Sequence, residues 1–98
     1  MDSLMPANQL LKKAASVLPI SDEDLIYKGV VAGVSERLFT LKRRKAQLER
    51  KYGSIDKLDT RVKVEGSSAD DHTLYTDLLE WRAIDHEMSE LLVIFEDI

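Results

Sequence analysis

A heptad pattern of apolar residues constrains the fold of this chain more than any other feature of its sequence. Between Ser21 and Gly53 the stripe residues follow one another at alternating steps of four and three: Tyr27, Val31, Val34, Leu38, Leu41, Lys45, Leu48 and Tyr52. A second stretch, from about Asp71 to Ile98, repeats the pattern: Leu74, Leu78, Trp81, Asp85, Met88, Leu92 and Phe95. One charged residue interrupts each stripe. Because such stripes pack against each other, we predict an all-α fold built on a long, coiled-coil-like antiparallel helical hairpin.

The first long helix has clear end signals. Ser21 can cap its first turn, where the acidic residues 22–24 suit the positive end of the helix dipole. Arg50 and Lys51 suit the negative end, and Gly53 can adopt the left-handed conformation that stops a helix. We therefore expect one continuous helix over this stretch.

Two pairing registers of the hairpin agree with the sequence. The first places Leu48 against Leu78 and Lys45 against Trp81. The second is shifted by about one helical turn and places Lys45 against Asp85, so that the two charges within the stripes meet. A charged stripe residue commonly fixes register while its head group reaches water, and both registers allow this.

Two shorter helices are expected beside the hairpin. Pro6 to Leu18 is predicted to form a short N-terminal helix that Pro19 ends. We expect its apolar face to dock on the hairpin or on a second subunit, and the alternative is that it stays free until a partner binds. The segment from Ser54 to Val62 reads as a two-turn helix that closes the open end of the hairpin, followed by a loop from Val64 to Ser68. Either Ser68 or Asp70 would cap the last helix. We divide the chain into an N-terminal helical segment, residues 1–20, and a hairpin domain, residues 21–98.

Apolar residues outside the stripes predict self-association. Ile26, Val30, Phe39 and Ala46 on the first arm, with Leu79, Ile84, Leu91 and Ile94 on the second, are more than a two-helix hairpin can cover. A homodimeric four-helix bundle would cover them, and docking of the N-terminal helix could provide part of the same cover. Gly29 and Gly33 lie one turn apart, and each costs about 1 kcal/mol relative to alanine, so either a kink of the helix or tight packing against another helix is expected there. The candidate partner-binding residues are Leu10, Leu11, Val17, Leu18, Gly29, Gly33, Phe39, Leu79, Leu91 and Ile94.

Charge is unevenly distributed along the chain. Residues 36–63 contain 10 Lys and Arg against 4 Asp and Glu, a balance of +6, whereas residues 64–98 contain 1 against 10, a balance of −9. We expect Asp77, Glu80, Glu87 and Glu90 to pair with the basic strip of the first arm, which comprises Arg37, Lys42, Arg43, Arg44, Arg50 and Lys51. A strip neutralised in this way is not expected to bind nucleic acid.

The residues that could carry chemistry are few. There is no cysteine, and neither Asp70-Asp71-His72 nor Asp85-His86-Glu87 has the spacing of a metal-ligand set. His86 and Glu90 share a helix face but are only two ligands. We predict no enzymatic activity, no cofactor and no metal. Residues 1–18 lack the apolar run of a signal peptide or a membrane span, so we predict a cytoplasmic protein without membrane contact.

Several segments resemble a known class of proteins. The run from Gln47 to Ser54 and the run from Leu74 to Trp81, with Ile55, Leu58, Glu65-Gly66 and Asp70-Asp71-His72 between them, resemble small prokaryotic, often archaeal, helical-hairpin proteins assigned as antitoxins of toxin-antitoxin modules. The resemblance covers roughly residues 21–92. It implies an intracellular protein that binds and neutralises a toxin, frequently an RNase, and that is not itself an enzyme.

Two functional hypotheses follow. The first is a protein-binding module that neutralises a cognate toxin, and the second is a structural subunit or assembly factor of a larger complex. Neighbouring coding sequence distinguishes them, because a small nuclease-like neighbour favours the first and an assembly operon favours the second.

Overall fold

The computed structural model describes residues 6–65 and 72–97, and all regular structure in these ranges is α-helical. Four helices follow one another along the described chain: α1 (Ala7–Val17), α2 (Asp22–Tyr52), α3 (Ile55–Glu65) and α4 (Thr73–Asp97). The all-α class is confirmed, as are one long helix ending just before Gly53 and a short helix on either side of it.

The capping signals of α2 and α3 are confirmed by their geometry. The Ser21 hydroxyl accepts a hydrogen bond from the Asp24 amide at 3.1 Å. Gly53 has a φ of 91°, which an L side chain rarely adopts, and its amide donates to the Glu49 carbonyl. The Ser54 hydroxyl accepts from the Lys57 amide at 3.2 Å. These caps fix where α2 ends and α3 begins.

The predicted end of the third helix is wrong. α3 continues to Glu65, so Val64 and Glu65, which we expected in a loop, are helical. Two ion pairs along this helix, Arg61 with Glu65 at 3.3 Å and Lys63 with Asp59 at 3.1 Å, support its last turn. The rest of the predicted loop, and the predicted caps Ser68 and Asp70, lie outside the described residues.

The chain divides into two compact units, and the boundary falls within α2. One unit ends at Gly33 and the other begins at Val34. We call them the N-terminal unit and the hairpin unit. The division at residue 20 that the sequence suggested stays a prediction.

The N-terminal unit contains no buried residue in its described part, residues 6–33. Leu11, Ala14 and Ala15 on α1 are half-buried, as are Ile20 and Leu25. Several larger apolar side chains are exposed, and Val17 is 77% exposed. The apolar stripe of α2 begins in this unit, but Tyr27 is an exposed member of it.

The hairpin unit contains the hydrophobic core. The core side chains come from the last part of α2, from α3 and from the first part of α4: Leu41, Leu48, Tyr52, Leu58, Leu74, Leu78, Trp81 and Ile84. Leu48, Leu58 and Leu78 are the most deeply buried large side chains. Leu58 is fully buried, which confirms that the short helix after Gly53 packs inward. Three helices therefore contribute to one core.

Cross-helix ion pairs show that α4 runs antiparallel to the part of α2 in the hairpin unit. Arg37 pairs with Glu87, and Lys51, about four helical turns further along α2, pairs with the earlier residue Asp77. The predicted hairpin is confirmed. Lys45 contacts Asp85 at 2.8 Å, the contact expected of the shifted register.

The other cross-helix pairs restrict that shift. Arg44 pairs with Glu80, and Lys51 with Asp77. Each of these acidic partners lies two positions along α4 from the residue that the first register places opposite the cation. The stripes therefore pack close to the first register. The Lys45–Asp85 contact also forms, because the flexible lysine side chain reaches along α4.

The stripe of α4 differs from the predicted one after Trp81. Ile84 is 4% exposed and belongs to the core, whereas Asp85 lies at its edge. Met88 and Leu91 pack against the core, and Leu92 is exposed. The prediction that Ile84 lies outside the stripe is wrong, whereas the Asp85 carboxylate reaches water, as expected of a charged stripe residue. A small rotation of α4 buries an apolar side chain and leaves the carboxylate partly in water, which avoids the cost of burying a charge.

Candidate functional site

A buried carboxylate joins the end of α2 to α4. Asp77 is 7% exposed, and its Oδ2 accepts a hydrogen bond from the Tyr52 hydroxyl at 2.6 Å. Lys51 Nζ donates to the same oxygen at 3.3 Å. Arg44 Nη2 lies 3.7 Å from Oδ1. The charge of Asp77 is thus compensated by a hydroxyl and two cations.

This environment perturbs the two titrating groups in opposite directions. Burial alone would raise the pKa of Asp77, but the hydrogen bonds from Tyr52 and Lys51 and the charges of Lys51 and Arg44 together lower it. Burial raises the pKa of Tyr52, and its hydrogen bond to the Asp77 carboxylate raises it further. Neutral pH therefore keeps the hydroxyl protonated and the carboxylate ionised, which is the pairing that the hydrogen bond requires.

Two arginine–glutamate pairs continue the polar contacts along the hairpin. Arg44 donates two hydrogen bonds of 2.7 Å to Glu80, and its Nη1 donates to Gln47 at 3.1 Å. Seven residues earlier on α2, Arg37 makes the same two-bonded contact with Glu87, with its Nη2 at 2.8 Å from Oε1. These hydrogen bonds lower the pKa values of both glutamates. Paired bonds of this kind also fix the orientation of both side chains.

A groove of about 290 Å³ lies between the two pairs. Its rim is formed by the charged groups of both pairs, and its floor contains small and apolar side chains. The lining residues are Arg37, Thr40, Leu41, Arg44, Glu80, Ala83, Ile84 and Glu87. Thr40 and Ala83 are exposed, whereas Leu41 and Ile84 lie beneath them in the core. The groove can accept side chains of a facing helix.

The buried polar groups in the described part of the hairpin unit all have partners. Within the described residues, every buried side-chain nitrogen and oxygen atom has a hydrogen-bond partner. The same residues contain no group of three or more side chains that could hold a metal ion. The contacts of Asp77 with Tyr52 and Lys51 join α4 to the end of α2. They also join the two segments that carry the resemblance described above, because Tyr52 lies in the first and Asp77 in the second.

Most of the ion pairs expected from the charge pattern are confirmed. Asp77, Glu80 and Glu87 each pair with a cation of α2. Glu90 instead lies 3.3 Å from His86 on its own helix. In the described part of the chain, Lys42 and Arg50 have no ion pair and are exposed. The expectation that the chain does not bind nucleic acid stays a prediction.

The candidate partner-binding residues of the N-terminal unit lie mostly at its surface. Leu10 is 58% exposed, Val17 and Leu18 are also exposed, and Leu11 is half-buried. A β-carbon added at Gly29 or Gly33 would meet nothing within 4 Å in the described structure. No close helix approach accounts for these glycines within that structure.

The candidate partner-binding residues of the hairpin unit differ from one another in their exposure. Phe39 is 62% exposed, and the Arg43 guanidinium lies 5.7 Å from the centre of its ring. Leu79 and Ile94 are exposed, but Leu91 packs partly against the core. Leu91 is therefore only partly available to a partner.

Sequence reasoning did not anticipate the hydrogen bond between Tyr52 and Asp77. The sequence pattern predicts Tyr52 as an apolar stripe residue and Asp77 as one of the acids that flank the stripe. One signal was available: an aspartate next to Leu78 in the stripe needs a partner if it is buried, and Tyr52 is the stripe residue with a hydroxyl.

No helix in the described ranges combines the length and the apolar character needed to cross a membrane. A family model described as the uncharacterized protein MJ0235 family matches residues 1–98, and the chain therefore belongs to this family. Neither the curated proteins nor the solved structures give a match to the chain.

Proposed function

We propose that this member of the MJ0235 family is a non-enzymatic protein-binding module, and that α1 is the segment that binds the partner. The observation that carries the proposal is the state of α1, which has an apolar face but no buried residue. Leu10 and Val17 are both more than half exposed. An apolar face of this kind gains free energy when another protein covers it.

The length of α1 favours coupling between its ordering and its binding. Isolated helices shorter than about 12–15 residues are marginal in water, and α1 has 11. Complete burial of two exposed leucines contributes about 3 to 6 kcal/mol by transfer estimates. Because Leu10 is 58% exposed and Leu11 is already half-buried, a partner that covers them would add about 1 to 3 kcal/mol. That free energy changes a dissociation constant by about fivefold to a hundredfold. Part of it is spent on ordering the helix, as in other segments that fold on binding.

We further propose that the partner is a toxin, so that the protein works as an antitoxin inside the cell. The support is the resemblance of residues 21–92 to helical-hairpin antitoxins together with the exposed face of α1. A helix that inserts into a toxin can occlude its active site without any chemistry of its own. The cross-helix contacts of Asp77, Glu80 and Glu87 agree with such a role, because they hold α2 against α4 without forming a reactive site.

The proposal includes a homodimer. Several large apolar side chains of the hairpin unit, among them Phe39, Leu79 and Ile94, remain exposed in the single chain. A second copy that forms a four-helix bundle would cover part of this surface. Two copies would also present two α1 segments to the toxin.

The test compares two double substitutions on the same helix. L10D with L11D places two charges on the apolar face and should weaken binding to the product of the neighbouring gene by about a hundredfold. N8D with Q9D adds the same charge at exposed polar positions and should leave binding within about threefold of the parent chain. Isothermal titration with the purified neighbour measures both.

Two results would contradict the proposal. Equal binding by both double variants would remove α1 from the binding surface. A neighbour that does not inhibit growth when expressed alone would contradict the antitoxin role, and rescue of growth by L10D with L11D equal to that by the parent chain would contradict neutralisation through α1.

A further inference from the structure

We propose that the groove between the two arginine–glutamate pairs is the surface on which a second copy of the chain docks. In this arrangement two hairpin units face each other across a two-fold axis parallel to their helices. The α2 of one copy lies over the α4 of the other. The inference rests on the proposed homodimer and assigns its interface.

The spacing of the charges makes this surface complementary to itself. The arginines on α2 and the glutamates on α4 are each separated by seven residues, and Arg37 is level with Glu87 as Arg44 is with Glu80. Seven residues of helix rise by about 10.5 Å, so the two charge rows have the same pitch. A two-fold axis parallel to the helices keeps each level and exchanges the rows. The second copy's Arg37 therefore lies opposite Glu87.

The groove floor permits close approach. Thr40 and Ala83 are small, exposed side chains between the charged levels. Helices pack at about 8–10 Å between their axes when the residues at the contact are small. Leu91 and Ile94 follow Glu87 at steps of four and three, so they continue the same stripe of α4 with apolar contacts. Ile94 is 40% exposed and is available to a partner.

The charges favour a second copy over other partners. Each arginine on this surface is matched by a glutamate, so the surface has no net charge to attract a nucleic acid or a strongly acidic protein. In the proposed dimer each charged level becomes a ring of two arginines and two glutamates. Such rings specify pairing more than they add affinity, because like charges meet in any register or pairing that breaks the match.

The experiment exchanges one pair of charges. A chain with R37E and E87R retains the pair within the chain and should dimerise with itself. Mixed with the parent chain, it would place Arg37 of one copy against the arginine introduced at position 87 of the other. We expect heterodimers to form at less than about a fifth of the statistical half, measured by native mass spectrometry after unfolding and refolding the mixture.

A matched control exchanges a pair on α3. R61E with E65R reverses the Arg61–Glu65 pair, which lies outside the groove, and should mix with the parent chain statistically. Statistical mixing of R37E with E87R as well would overturn the proposed surface while leaving the homodimer in place. A parent chain that is monomeric at micromolar concentration would overturn the homodimer and the surface together.

A second pair of variants probes the groove without touching an ion pair. A83R fills the groove floor with a long side chain and should raise the dimer dissociation constant at least tenfold while circular dichroism shows unchanged helix. S89R adds the same side chain at an exposed position about half a turn away from Glu87 and should leave dimerisation unchanged. A dimer of A83R as tight as the parent dimer would contradict the docking surface.

Discussion

Leu10 and Leu48 both lie on the apolar stripe of an amphipathic helix, yet Leu10 is 58% exposed and Leu48 is 1% exposed. The first belongs to the N-terminal unit and the second to the hairpin unit. The difference does not come from the residue type or from the local pattern. It comes from the number of helices that surround each stripe, because in the hairpin unit α2, α3 and α4 enclose one core. An amphipathic stripe therefore shows that a surface needs covering, and the fold determines whether the chain covers it.

Truncation of these two leucines should show the difference most strongly. L48A leaves a cavity in the core and should lower the free energy of unfolding by about 2–5 kcal/mol. L10A removes an exposed side chain and should change it by less than about 0.5 kcal/mol. Urea unfolding followed by the fluorescence of the buried Trp81 measures both. Similar losses for the two variants would mean that the N-terminal unit contributes to the same core.

Loss of a polar contact should also lower the free energy of unfolding more in the hairpin unit than in the N-terminal unit. Y52F removes the shortest hydrogen bond to the buried carboxylate of Asp77 and should cost about 1–3 kcal/mol of unfolding free energy, because a buried acceptor loses one of its partners. S16A removes an exposed hydrogen bond to the Lys13 carbonyl in the N-terminal unit and should cost less than about 0.5 kcal/mol. Thermal unfolding of the two variants compares them, and an equal loss would show that the contacts of Asp77 do not stabilise the hairpin.

Glycine-to-alanine substitutions should change stability in opposite directions in the two units. G29A and G33A place a methyl group where nothing lies within 4 Å, so each should raise helix stability by up to about 1 kcal/mol. G53A strains a residue with a φ of 91° and brings the added carbon to 3.2 Å from Lys57 Cδ, so it should lower stability by about 1 kcal/mol. Circular dichroism melts give the sign, and a destabilising G33A would reveal a neighbour at this position in solution.

Acid should weaken the hairpin unit through its depressed carboxylates. The folded-state pKa values of Asp77, Glu80 and Glu87 are lower than their ordinary values, so these groups contribute stability above that ordinary range, about pH 4. The contribution is lost as pH falls through the folded-state values. The urea midpoint should therefore decrease below about pH 4, and D77N should make this decrease shallower. A midpoint independent of pH from 6 to 3 would contradict the role of these pairs.

Alkali should act through Tyr52, whose folded-state pKa is raised. Its contribution is present below the ordinary tyrosine pKa of about 10 and is lost as pH rises through the folded-state value. Y52F should remove this part of the alkaline loss of stability. The urea midpoint of Y52F measured from pH 8 to 11 checks the expectation, and a loss as steep as that of the parent chain would assign it to another group.

The hairpin could be predicted from the sequence because its signals are local and periodic. The stripe that includes Leu41 and Leu48 and the caps at Ser21 and Gly53 each determine structure within a few residues. The extension of α3 to Glu65 escaped prediction because side-chain pairs along that helix outweigh the weak loop signal.

The rotation of α4 and the contacts of the candidate site could not be predicted from the sequence in the same way. Burial of Ile84 in place of Asp85 depends on two neighbouring helices at once, which a one-helix pattern does not contain. The Tyr52–Asp77 bond joins residues 25 positions apart. The groove depends on the pairing register of α2 and α4, for which the sequence left two alternatives. Its residues form one surface because the observed register brings Arg44 next to Glu80.

Amide hydrogen exchange on the intact chain, with and without its partner, tests the central claim most directly. The amides around Leu48 and Leu78 should exchange only through global unfolding, whereas those of α1 should exchange within about tenfold of an unstructured peptide and become protected when the partner binds. Protection of α1 in the free chain equal to that of the core, with no change on binding, would contradict the assignment of the core to one unit and of partner binding to the other.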